Sequence, residues 1–137
     1  MGRNAMITGK VTLRRYGWRV VYFMAADRDD ADEILDALER VGCPAKLLKK
    51  AELMLRGRSC DTGFTYSDKK RRFSCITISQ TKDFSELINT FVHELDHVAK
   101  HVTLAMEIDP FSERASYLIG ELARDVFVNL TSKLFCR

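Results

Sequence analysis

The 137-residue sequence predicts an α+β domain: a small antiparallel sheet with about four helices, the last of them long. Three observations carry that expectation. Segments rich in Val, Tyr, Phe and Thr lie near Ile7 to Met24, Thr62 to Ser67 and Phe73 to Ser79, each in the manner of a strand. Between and after them, apolar residues recur at three- and four-residue spacing, the repeat of one helix face. No repeat, low-complexity stretch or Pro/Gly-rich linker divides the chain, so residues 1–137 read as a single domain.

The first strand region carries Tyr16-Gly17 as an interruption. Asp30 and Glu33 then form a capping-box pattern ahead of Ile34, Leu35, Leu38 and Val41, and Gly42 is a stop signal. A second helix starts at Pro44, whose fixed φ suits a first turn, and ends at Gly57. The two later strands flank a charged turn around Asp68 to Arg72. Asp83 is the expected N-cap of a third helix, with Glu86 three residues on and Phe84, Leu87, Ile88, Phe91, Leu95, Val98 and Val102 as its apolar stripe. Asp109-Pro110-Phe111-Ser112 breaks the chain. The last helix, from about Glu113 to Leu134, buries Ala115, Leu118, Ile119, Leu122, Val126 and Leu130.

Composition excludes several functions. Hydrophobic residues at 46% and charged residues at 30% describe an ordinary globular chain. No apolar run reaches the roughly 18 residues a membrane-spanning helix needs, and the first residues lack a signal-peptide core, so a cytoplasmic location is expected. Cys43, Cys60, Cys75 and Cys136 form no CxxC pair and read as free thiols, Cys75 within a strand core. A net charge of +3 implies no nucleic-acid partner. The one dense basic run, Lys69-Lys70-Arg71-Arg72, has no aromatic interleaving and reads as a solvated hairpin tip.

The chemistry concentrates in His93-Glu94-Leu95-Asp96-His97, which holds two of only three histidines in the chain. Positions i and i+4 of a helix lie one turn apart on one face, so two imidazoles can grip one ion. Glu94, beside the first His, is placed to take a proton from an activated water. At 100° per residue both histidines fall nearly opposite the apolar stripe, with Glu94 at the flank. The same placement suits two merely solvated histidines, and an accidental HExxH remains an alternative reading.

Thr90-Phe91-Val92-His93-Glu94-Leu95-Asp96-His97-Val98-Ala99 resembles the extended zinc-binding helix of the zincin metallopeptidases, in particular the gluzincin type. The likeness extends more weakly over Glu113 to Glu121 and covers at most about a third of the chain. HELDH followed by the SERASYLIG segment is also loosely similar to small phage and mobile-element proteins. Asp96 departs from the pattern, being charged where the family has an uncharged residue, and can pair with Lys100 one turn on. The resemblance implies a zincin-like active-site helix, Zn²⁺ held by His93 and His97, Glu94 as general base, a peptide or protein substrate, and a third ligand from a Glu on the following helix.

Two residues compete for that third position. Glu113 opens an ExxA-type segment like that of several gluzincins, but it requires the motif helix to stop near His101. Glu121 has the better axial placement if both helices are long and antiparallel about Asp109. Either can equally be a solvated helix carboxylate. Tyr117, four residues after Glu113, is a candidate oxyanion donor, and Asp109 a candidate partner for a ligand His. The strand at Phe73 to Ser79, or its partner, offers an edge for an extended peptide. His101 lies only four residues beyond His97, which excludes the metzincin spacing and leaves it a surface or supporting group. The alternative function is a non-catalytic zincin-like metal-binding or assembly protein.

Overall fold

A computed structural model describes residues 5–135, with side chains through residue 132; Cys136 lies outside the described residues. The architecture is α+β. Strand β1 (Ile7–Leu13) turns into β2 (Trp18–Ala26), and helices α1 (Ala31–Arg40) and α2 (Ala45–Leu55) follow. Then come β3 (Gly63–Asp68), β4 (Phe73–Ser79), α3 (Phe84–Ala105) and α4 (Glu113–Phe135). The strands form one sheet in the order β1-β2-β4-β3.

The stretch expected as a single interrupted strand is a hairpin. Arg14–Tyr16 makes a 3-10 turn closed by Gly17 at φ 60, so β1 and β2 pair antiparallel from Ile7↔Met24 to Leu13↔Trp18. The sheet itself is mixed. β3 and β4 are antiparallel, but β4 runs parallel to β2, with Val21 opposite Cys75. The crossover through α1 and α2 imposes this, because it returns the chain to the sheet's far edge before the β3–β4 hairpin folds inward. The basic run is the tip of that hairpin; Asp68 Oδ1 accepts from the amides of Lys70 and Arg71, and Arg72 donates to the Tyr16 carbonyl.

Each face of the sheet buries its own core. On one face, α1 and α2 cover Phe23, Phe64, Tyr66, Phe73 and Cys75. On the other, α3 and α4 pack Leu87, Phe91, Leu95, Val98, Leu118, Leu122 and Val126 against Leu13, Trp18, Val20, Tyr22, Ile76 and Ile78. Burial pushes the Cys75 thiol up to about 12 and raises that of Cys43, so both are inert apolar fillers.

Helix boundaries follow local chemistry. Asp83 accepts from the Glu86 amide at 2.9 Å and caps α3 as its sequence predicts. The cap before α1 differs from expectation. Asp27 and Asp30 form the reciprocal box around a 3-10 turn, which commits the Asp30 carboxylate to the Asp27 amide rather than to Glu33. Among the described residues, no helix is long and apolar enough to cross a membrane.

Candidate metal centre

Helix α3 runs unbroken for 22 residues and presents two different flanks. Leu87, Phe91, Leu95, Val98 and Val102 enter the shared core with α4. Thr90, Glu94 and His101 turn instead toward β3, one of the two edge strands of the sheet, and the loop before it. Strand alternation supplies the partners. Phe64 and Tyr66 point to the α1–α2 core, while Gly63, Thr65 and Ser67 face α3.

The histidine pair converges as the i, i+4 spacing predicts. Nε2 of His93 and Nε2 of His97 are 3.1 Å apart, with the rings edge to face at 4.8 Å between centroids. Both rings are exposed, whereas Glu94 between them is buried. The ligand atoms of His93, Glu94 and His97 all lie within 4.8 Å of one another. Two imidazole nitrogens bound to one tetrahedral zinc at about 2.05 Å would stand ~3.3 Å apart, so the pair is already near the required spread. Neither ring has a hydrogen bond at Nδ1 among the described contacts, so nothing from the protein fixes their tautomers from behind.

Glu94 is held more firmly than its neighbours. Thr65 Oγ1 donates to Glu94 Oε1 at 2.6 Å, and Thr90 shares a hydroxyl contact with Thr62 one turn back. The backbone of β3 comes so close at Gly63 that a Cβ there would lie 2.6 Å from Glu94 Oε2 and 2.8 Å from Thr90 Cγ2. Only glycine lets the strand approach the carboxylate in this way.

Two adjoining cavities of about 240 and 210 Å³ open over this flank. Both are bordered by Asp61, Gly63, His93 and Glu94; the second also reaches Thr65, His97, His101 and, from α2, Leu47 and Lys50. His101 is half-buried and its Nδ1 lies 2.7 Å from Ser67 Oγ. Burial, then the neighbouring His97 and Lys69, hold its pKa below the usual histidine range and favour the uncharged ring. Asp96 forms the expected surface pair with Lys100 at 2.8 Å.

The remaining site residues read from the sequence lie elsewhere. Neither Glu113 nor Glu121 joins the histidine group among the described residues. α3 does not stop near His101, as Glu113 as ligand would require, but continues to Ala105. α4 packs on the apolar flank of α3 and on β1, so its carboxylates stand on the opposite side of the motif helix from the cleft. Glu121 instead borders a separate surface depression with Arg15, Tyr117 and Arg124. Tyr117 is 72% exposed there and away from the histidines. Asp109 accepts from the Phe111 amide at 2.9 Å and shapes the turn into α4 rather than orienting a ring.

Sequence reasoning missed Asp61, Gly63, Thr65 and Ser67, and gave His101 no definite role. The available signal was the alternation of small and polar residues with Phe64 and Tyr66, which marks a strand with one apolar face and one face free for polar contacts. In comparisons with known proteins, no family model, no curated protein and no solved structure matches the chain.

Proposed function

We propose that the chain is a zinc-dependent metallopeptidase whose site is His93, Glu94 and His97. The observation that supports this most strongly is the 3.1 Å approach of the two Nε2 atoms beside a buried carboxylate that lines the same cleft. Zn²⁺ on that pair would lower the pKa of a bound water to about 7 and polarise a carbonyl. Glu94 accepts the water's proton at Oε2, the oxygen left free by Thr65, and returns it to the leaving amine. Thr65 and Gly63 keep the carboxylate in place, while the open cleft admits the substrate. β3, an edge strand beside the histidines, leaves one row of amides and carbonyls for an extended peptide. Asp61, exposed and the one acidic residue besides Glu94 that lines both cavities, is the candidate to stand in for the ligand that α4 does not bring.

The position of Glu113 and Glu121 favours a second reading, a zincin-like metal-binding or assembly protein without catalysis, because two imidazoles alone leave a zinc site incomplete. Metal analysis of untagged protein and peptide cleavage by Glu94→Gln separate the two. The peptidase reading expects near one zinc per chain and cleavage lost by about 10²–10⁴-fold with the metal retained. Bound zinc with no cleavage by the native chain favours the second reading, and no bound zinc overturns the peptidase and metal-binding readings and leaves only an assembly role.

A further inference from the structure

We infer that His101 is a fixed hydrogen-bond donor into the cleft, held as the Nε2–H tautomer by a relay that begins in the core between the sheet and α3. Trp18 Nε1–H donates to Ser74 Oγ at 2.9 Å, Ser74 Oγ is 2.7 Å from Ser67 Oγ, and Ser67 Oγ is 2.7 Å from His101 Nδ1. The indole can only donate, so it sets the direction of the chain. Ser74 is fully buried, and Ser67 Oγ is the one acceptor described for its hydroxyl proton. Ser67, having accepted that proton, turns its own toward His101. His101 Nδ1 is the one acceptor described for that hydroxyl proton, which makes it the accepting nitrogen and leaves the ring proton on Nε2.

The opposite polarity would leave the Ser74 hydroxyl proton buried without a described acceptor. The ring borders the same cavity as His93, Glu94 and His97, and its centroid is 6.5 Å from that of His97. A neutral N–H there stabilises a carbonyl oxygen as negative charge builds on it, without competing for the metal as an unprotonated nitrogen would. The recipient is thus a carbonyl or anionic oxygen of whatever occupies the histidine pair. This last step rests on the hydrolase reading; the tautomer does not.

Two measurements test it. Two-bond ¹H–¹⁵N correlation spectra of the metal-free, full-length chain at pH 7 should show His101 protonated at Nε2 alone, and Ser67→Ala should give a tautomer mixture. A ring protonated at Nδ1, or at both nitrogens, overturns the relay. The zinc-loaded chain is then titrated with acetohydroxamate, whose oxygens mimic the developing charge. His101→Phe should weaken its binding by about tenfold, the worth of one hydrogen bond to a charged oxygen, and His101→Gln should restore part of it. Undiminished binding to His101→Phe overturns the donation alone. Failure of the native zinc-loaded chain to bind acetohydroxamate overturns the donation together with the hydrolase reading, and leaves the tautomer result standing on its own.

Discussion

The two flanks of helix α3 are made from one continuous segment and serve opposite ends. The flank toward α4 is apolar from Leu87 to Val102 and is buried nearly completely. The flank toward β3 carries Thr90, Glu94 and His101, each with a hydroxyl partner on or beside the edge strand, and shares its cleft with both His93 and His97. The first flank fixes where the helix lies; the second uses that fixed position to place polar groups. The division also decides which parts of the chain can reach the site. β3 and the loop before it can, and α4 cannot, because the body of α3 stands between.

The comparison breaks first where packing is densest. Leu95→Ala should cost about 2–5 kcal/mol of stability through the cavity it leaves, read by chemical denaturation, while zinc affinity measured below the transition stays as in the parent. A large loss of zinc affinity in the folded variant would show the flanks to be coupled. On the other side, His97→Ala should abolish zinc binding by calorimetry yet shift metal-free stability by no more than about 0.5 kcal/mol, since the ring is exposed.

Gly63→Ala sharpens the contrast further. The added methyl meets Glu94 and Thr90, so the carboxylate must move; peptide cleavage should fall by at least about tenfold while the histidine pair still binds zinc. Unchanged cleavage would mean that the close approach of β3 does not position the base. The smallest effect belongs to α4: Glu113→Ala and Glu121→Ala should each leave zinc affinity within about twofold, a shift of ~0.4 kcal/mol. A sharp drop in either would require α4 to re-seat when metal binds.

Much of this was legible in the residues. The 3.6 periodicity from Leu87 to Val102, the Asp83 cap and the angular position of the HExxH histidines all depend on contacts within a few residues, and each holds, whereas Phe84, expected on the same stripe, is exposed. What sequence did not reveal depends on partners far along the chain. The parallel β2–β4 pairing is set by which side of the sheet the α1–α2 crossover returns to, and no local pattern encodes that choice. The third-ligand expectation failed to meet the histidines for a related reason. The apolar stripe of α4 shows that the helix is buried, but not on which side of α3 it packs. Thr65 and Ser67 are ordinary strand residues until Glu94 and His101 are set opposite them.

The i, i+4 histidine pair has a kinetic consequence. His93 and His97 need only one turn of helix to come together, an event of about a microsecond or less, whereas Thr65 meets Glu94 across 29 residues of chain, once β3, β4 and α3 pack together. The paired histidines therefore form early in refolding and the Glu94 carboxylate is seated late. A chelatable ion present during synthesis would meet the paired imidazoles before Glu94 is locked against β3.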